Sequence, residues 1–568
     1  MRLPLIFLGL LVAGFGCTPS HSPDHKSNAA DWVIVNAHIL TMDPDYPQAS
    51  AIAFKNGSIV AIGDNSAVAD WTGEDTQVIS LSGQTVLPGF IDTHIHSIEG
   101  ALATEACDLE DQPLELSNLQ SQIQSCAEKH TEGWLQLINL ASAGTTLDRW
   151  QLDSFLPHRP LMIISTDAHT AWVNSKALEL AGVDADSPSP AQGKIIRNDE
   201  GEPTGMLVDA ATTLVSQHLP EVDRVTRARL LDKTLQQLVA NGITAFLEAN
   251  ADQKSIDTFC DLVAANKLVH KVNLALGSQG SLAKEERTRL DALRKQALDC
   301  GIQADTIKLY ADGVMEFPTQ SAALLSPYLD KDGQPTNRAG DLYLESKGLQ
   351  RFFRQAMEDD FSIHVHAIGD AAVRQSLDAL DAVKEVRGAT RFSLTHLQLI
   401  APEDINRFAP LQVLAAMQLY WAQPDTYSVD ALQPYLGNER HQRIYPARSL
   451  WQHGALITGG SDWNVSTFNP FMAMAVGRDR KAPDERSTAS LNVNQGLPLQ
   501  VLLEAYTRNA AQLLGRDGET GSLQVGKAAD LIILDRQLAP DMAGTALAQT
   551  QVTHTFIDGR LVYTKPIQ

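Results

Sequence analysis

The chain has 568 residues, 44% of them hydrophobic and 20% charged. That is ordinary globular composition, long enough for one large domain with smaller ones. The formal net charge is -23, and a surface this acidic excludes nucleic acid as a partner, because phosphate binding needs a basic face.

The first residues carry one early positive charge, Arg2, and an apolar run ending at Gly16-Cys17. The run is too short to span a membrane and reads as a secretory signal. A polar stretch, Thr18 to Asn28, follows. The pattern resembles a bacterial lipoprotein signal with Cys17 lipidated after cleavage, although Gly14 stands where a leucine is usual. The alternative is a plain signal peptide with an incidental Cys17. The expectation is therefore a signal over 1–17, a linker over 18–30, and a protein exported to the periplasm or outer membrane of a Gram-negative bacterium. Membrane contact would be through the lipid anchor alone. Export permits disulfides. Proximity favours Cys107–Cys126 and Cys260–Cys300, with four free thiols as the alternative.

From Trp32 to Gln84 the pattern is strand and turn. Val33–Leu40 is one strand, Ala51–Phe54 and Ser58–Gly63 form a hairpin around Asn56-Gly57, and Thr76–Leu81 follows. The C-terminus reads alike: Leu531–Asp535, then Val552–Ile557 and Arg560–Tyr563 around Asp558-Gly559. Neither end has enough strands for a stable sheet. Together, 31–87 and 515–568 would build one small β-sandwich.

Between them strands alternate with helices, as in a parallel α/β fold. The opening strand is entered through Pro88-Gly89 and ends in His94-Ile95-His96. Seven more follow: Gly242–Leu247, Lys271–Leu276, Thr306–Tyr310, Ser362–His366, Arg391–His396, Gln412–Met417 and Ala455–Asp462. Helices are predicted at Ser281–Leu298, Leu349–Glu358 and Ala371–Val386, among others. Eight strands with intervening helices predict a (β/α)₈ TIM barrel over 88–514. Residues from about 100 to 225 are too many for one connection and carry their own strands, so they read as a subdomain inserted after strand 1, over the barrel mouth. Within it, Asp167–Ser175 reads as a binding loop, a turn with His169 and Trp172 before a helix; the alternative is a turn with a packed Trp.

The strand ends carry the chemistry. Strand 1 offers His94 and His96, which point the same way because strand side chains alternate. Strand 4 offers Lys308, strand 5 His364 and His366, strand 6 His396 and strand 8 Asp462. All face one mouth. Imidazoles with a carboxylate suit a divalent metal, Zn²⁺ before Mn²⁺, Fe²⁺, Co²⁺ or Ni²⁺. A metal with an open position lowers the pKa of its water to about 7. Asp462 is then the catalytic proton acceptor as well as a ligand. Lys308 cannot ligate as an ammonium. It fits if CO₂ has turned it into a carbamate that could bridge two ions; the alternative is a lysine reaching the mouth or pairing with Asp312.

The stretch Pro88-Gly89-Phe90-Ile91-Asp92-Thr93-His94-Ile95-His96 resembles the opening signature of the amidohydrolase superfamily. The branch it is most similar to is amidohydrolase family 3, which includes N-substituted formamide deformylases. Asp167–Leu178, Gly201–Gly205, Lys308–Gly313, His364–Asp370, Thr395-His396, Gly460–Trp463 and Gly521–Leu531 are similar to that branch too, so the resemblance covers about Ala30 to Tyr563. It implies a composite β-sandwich with a metal-dependent barrel. It implies one or two metal ions on His94, His96, His366, His396 and Asp462, with Lys308 as carbamate. His366 is preferred to His364 because it directly precedes Ala367-Ile368-Gly369-Asp370. The chain departs from the branch at Asp167-Ala168-His169, where Asp-Gly-His is usual, and at Glu248-Ala249-Asn250, which is assigned to substrate selection.

The function expected is hydrolysis of a non-peptide C–N bond in an amide, formamide or N-acyl compound. The alternatives are an ester or lactone hydrolase, a ring aminohydrolase, or an inactive lipid-anchored binding protein. The aminohydrolase fits less well, because an acidic residue expected three places after His366 is Gly369. The small-molecule substrate would meet His169, Trp172, Trp421 and Trp463, with Tyr420 nearby; these aromatics suggest a partly apolar group.

Overall fold

A computed structural model describes residues 29–111, 115–141, 145–281, 283–483 and 488–566. The stretch read as a signal, Cys17 and the polar residues up to Asn28 lie outside the described residues. No helix among the described residues is long and apolar enough to cross a membrane.

The central sheet has eight parallel strands in chain order: Phe90–Ile95, Ile243–Ala251, Lys271–Gly277, Gln303–Tyr310, Ser362–Ala367, Phe392–His396, Leu414–Met417 and Leu456–Gly459. Four are buried along their whole length and the other four over most of it, which is why they read as continuous apolar runs and not as alternating ones. The eighth strand returns beside the first. There the Thr93 hydroxyl donates to the Gly459 carbonyl (3.0 Å), and the Asp462 N–H donates to the His94 carbonyl (2.7 Å). The barrel of the sequence reading is present, with every strand where it was expected.

The helices pack outside this sheet over a continuous apolar core. Arg224–Ala240 shows how their ends are set: Asp223 caps it, accepting the N–H groups of Val225 and Thr226 at 3.0 Å each. The expected helix Ala371–Val386 is shorter. It runs Asp370–Asp381, and a separate 3₁₀ turn covers Lys384–Val386.

Both chain ends meet in two packed sheets. One holds Ser58–Gly63, Ala51–Lys55, Trp32–Val35 and Gln77–Ser80, in that order. The other runs Arg560–Thr564, Val552–Ile557, Leu531–Leu534, Thr85–Pro88, His38–Leu40 and Gln48–Ala49. Ile34, Phe54, Val86, Leu531 and Phe556 fill the space between them, and Phe556 takes Trp32 and Phe54 edge-on at 5.1 and 5.3 Å. Lys271 ties this sandwich to the base of the barrel through Asp530 (2.9 Å) and Asp558 (2.6 Å).

The insertion is a six-stranded sheet: Gly193–Arg197, Pro203–Asp209, Thr170–Val173, Leu161–Ser165, Leu135–Leu140 and Cys107–Asp108. It has an apolar core on each face. It touches the barrel loops through Thr170 and Thr319, whose hydroxyls are 2.7 Å apart, and through Tyr343, which donates to Asp209 (2.6 Å). Cys107 is joined to Cys126 and Cys260 to Cys300, the pairing that proximity favours. The segment expected to be a turn before a helix contains a strand instead, Thr170–Val173. Alternation along that strand turns Trp172 into the insertion core with Leu137, Leu152 and Ile163, fully buried. Trp172 is therefore a packing residue and not a wall of the site.

Candidate metal centre and active site

The barrel mouth brings His94, His96, His366, His396, Lys308 and Asp462 together. His94 Nε2 and His96 Nε2 lie 3.3 and 3.2 Å from the same Asp462 oxygen, Oδ1. The donor atoms of His94, His396 and Asp462 all lie within 4.8 Å of one another. The His366 and His396 rings are 4.5 Å apart.

Three of the four imidazoles, His94, His366 and His396, are fixed by the atom opposite their free edge. His366 Nε2 faces the Gly313 carbonyl at 3.0 Å, so it carries the proton and leaves Nδ1 as an electron-pair donor. His396 Nδ1 donates to Gln418 Oε1 (2.9 Å), leaving Nε2. For His94 the support is a chain. Its Nδ1 meets His364 Nε2 at 2.7 Å, and His364 Nδ1 meets the Ser393 hydroxyl at 2.7 Å. With His94 Nδ1 and His364 Nδ1 as donors, His94 presents a lone pair from Nε2 toward Asp462. His364 is thus an orienting residue, and the choice of His366 as the outward-facing histidine agrees with the geometry. Such partners behind ligands tune a metal site and orient it.

Asp92 binds the two halves of this ring from below. Its Oδ1 accepts the N–H of His94 and of Ser461, each at 3.0 Å, so one carboxylate positions strand 1 and the turn that presents Asp462. Gly460 allows that turn to come close. A Cβ there would lie 2.7 Å from His94 Cβ and 2.9 Å from His94 N. Gly460→Ala is expected to displace His94 and to weaken metal retention by about tenfold, read as the metal content after dialysis against a weak chelator.

Lys308 Nζ is buried and has no hydrogen-bond partner. Burial lowers its pKa to about 7. The pairing with Asp312 that the sequence allowed is absent. Asp312 instead accepts the N–H groups of Ala323, Ile368 and Gly369 at 2.8–3.0 Å. A convergent set of lone pairs around one carboxylate oxygen, beside an orphaned amine, is electrostatically incomplete as it stands. The residues fit a divalent cation, with nitrogen and carboxylate donors of the kind zinc takes.

Two adjoining cavities share His169, His366, His396 and Asp462 in their walls. One descends to His94, His96 and Lys308; the other leads away past Trp421, Tyr445 and Glu316. Trp421 stacks flat on His396, ring centroids 5.3 Å apart.

This donor set at the mouth of an eight-stranded barrel is matched by a family model described as "Amidohydrolase family", over residues 77–563. The chain belongs to the amidohydrolase family. It is 27% identical to the N-substituted formamide deformylase of Arthrobacter pascens over 94% of this chain and 98% of that one. It is also 27% identical to Protein LONG AFTER FAR-RED 3 of Arabidopsis thaliana, over 94% and 92%. Its fold is similar to that of a metal-dependent hydrolase of Pyrococcus horikoshii OT3, with TM-score 0.66 and 21% identity over 90% of this chain and 98% of that one. The protein is thus an amidohydrolase-family chain whose barrel mouth carries a donor set suited to a divalent metal.

In this amidohydrolase the insertion contributes His169 to the site. His169 Nδ1 bonds Asp209 Oδ1 at 2.6 Å, and Asp209 also accepts from Tyr343. Burial opposes a charge on His169, but the bond and charge of Asp209, with the charges of Asp167 and Asp462, together outweigh it and raise the pKa. Trp463, expected near the substrate, packs on Gly100 and on Phe468 and is not part of either cavity wall. Glu248, assigned to selection, has its carboxylate within 4.8 Å of donor atoms of His96 and Glu99, and Ser97 donates to it from both N–H (3.0 Å) and hydroxyl; its neighbour Asn250 lines the deeper cavity. The sequence reading missed Asp92, Gln418, Asp209 and Glu316. Asp92, in the quoted opening motif, was the one within reach of that reading.

Proposed function

We propose that the protein hydrolyses a non-peptide amide, formamide or N-acyl bond with one or two divalent ions, zinc first among them. His94, His96, His366, His396 and Asp462 would hold the metal, and Lys308 as a carbamate would join them. The observation that carries the reading is the convergence of the His94, His396 and Asp462 donors beside the partnerless Lys308 amine, at the end of a substrate-sized cleft.

When bound, the ion supplies Lewis-acid polarisation of a carbonyl and a water of lowered pKa. The protein's own groups do the rest. Lys308 is poised for carbamate formation because burial brings its pKa to about 7 and so leaves a large neutral fraction of the amine at neutral pH; Nζ adds to CO₂ and releases one proton. Asp462, between His94 and His96, accepts the proton of the attacking water and returns it to the leaving nitrogen. His169, held by Asp209 with its Nδ1 occupied, turns its other ring nitrogen to the cavity. Protonated, it donates a hydrogen bond to the carbonyl oxygen as charge builds there.

The sign of the pH effect follows. His169 works in its protonated form, and Asp209 raises its pKa, so activity falls only as pH rises through that raised value. Asp209→Asn removes the support. It is expected to move the alkaline limb of kcat to lower pH and to reduce kcat at pH 8 by about tenfold, measured as a full pH–rate profile.

The reading is tested by incubating metal-loaded protein with N-substituted formamides, N-acyl amines and matched esters, and quantifying released amine. Amine release that needs the metal supports it. Ester cleavage with no amide cleavage replaces it with the esterase alternative.

A further inference from the structure

The outer cavity is unbalanced in charge. Asp111, Asp167, Glu316 and Asp425 line it beyond Asp462, and no Lys or Arg lines it among the described residues. Asp111 accepts from the Thr166 hydroxyl (2.7 Å) and from Tyr427, and Asp425 caps a turn at the Ser428 N–H (2.8 Å). Those bonds use neutral donors. Among the described residues of the cavity wall, His169 has its pKa raised, and Asp209 is its ion-pair partner.

At the far end the polar groups are under-used. Gln398 Nε2 donates to Glu316 Oε1 and to the Tyr445 hydroxyl, each at 3.0 Å. Gln398 is only 3% exposed, and its Oε1 has no hydrogen-bond partner. An acceptor left bare in a buried site costs free energy unless a ligand supplies a donor. Glu316 is 6% exposed, and burial pushes its pKa to about 7, so it too is short of a counter-charge. The rings of Tyr420, Trp421 and Tyr445 line the same space, and aromatic faces attract cations. An amide oxygen, a carboxylate and aromatic rings, with no Lys or Arg among the described residues of the wall, are what a donor-rich cation needs and what a carboxylate-bearing molecule is repelled by.

We propose that the substrate carries, away from the bond that is cleaved, a protonated amine that seats against Glu316 and Gln398 Oε1 between Tyr445 and Trp421. This rests on the amide-hydrolase reading and narrows it to basic amides, setting aside N-acyl amino acids with a free carboxylate.

The test is a charge ladder. Metal-loaded protein is given N-benzylformamides with para-aminomethyl, para-ethyl or para-carboxymethyl groups. The ammonium compound should have kcat/KM about tenfold above the ethyl compound, and the carboxylate about tenfold below it. Glu316→Gln should shrink the ammonium-to-ethyl ratio at least about fivefold. Equal kcat/KM for the ammonium and ethyl compounds, or a ratio unmoved by Glu316→Gln, overturns the proposal. If the variant does not fold, the wild-type ladder still decides. Calorimetry with the three corresponding benzyl alcohols separates the two readings. No turnover with tighter binding of the ammonium alcohol rejects the amide reading and keeps the cation site. Turnover without discrimination keeps the amide reading and rejects the cation site. Equal or undetectable binding of all three alcohols without turnover rejects both.

Discussion

Asp462→Asn is expected to lower kcat by about 10³- to 10⁴-fold, the upper part of what a single positioned acid–base group supplies. The substitution keeps shape and removes only proton affinity. The Asp462 N–H would still bond the His94 carbonyl, and the turn would still be fixed by Asp92 through Ser461. Four imidazoles would remain for the metal, so metal content should fall by less than activity does. The two effects are separated by measuring bound metal and single-turnover rate on one preparation. Undiminished turnover would remove Asp462 from the chemistry.

Lys308→Ala should be nearly as damaging, with activity down about 100-fold and less than the wild-type metal stoichiometry. The reason is the state of the side chain in the fold. An ammonium buried with only the Tyr310 ring against it (4.8 Å) and no hydrogen-bond partner is unfavourable, and burial already brings the Lys308 pKa to about 7. A carbamate would supply two oxygens to the cation and use the space. In Lys308→Ala that space can be refilled, so added acetate or propionate should restore part of the activity. Lys308→Arg should show no such rescue, because the guanidinium stays charged and fills the cavity. Full activity and full metal content in Lys308→Ala would leave the lysine with packing alone.

The barrel was legible because its strands are buried on both faces and read as short apolar runs, each closed by a polar residue at the mouth. His94, His96, Lys308, His366, His396 and Asp462 are all such strand-end residues, so counting strands was enough to gather them. What supports them was not legible. Gln418 reaches His396 from the neighbouring strand's exit, and His364 reaches His94 across 270 positions. Such contacts depend on barrel register, which periodicity does not fix. Trp172 misled for a local reason: a residue beside a motif need not share its face, and alternation in a strand of a doubly covered sheet turned it inward. Trp463 follows Asp462 directly, yet its ring fits against Gly100. The outer cavity was invisible for the opposite reason. Glu316 and Tyr445 come from separate loops and meet only through Gln398.

The most direct test is to purify the protein without chelators, count its metal by elemental analysis, and follow formamide hydrolysis as metal is removed and returned. The expected result is one or two divalent ions per chain, with activity that is lost on chelation and recovered with Zn²⁺ and bicarbonate. A chain that holds no metal, and that stays inactive after both are supplied, would contradict a metal-dependent hydrolase at this barrel mouth.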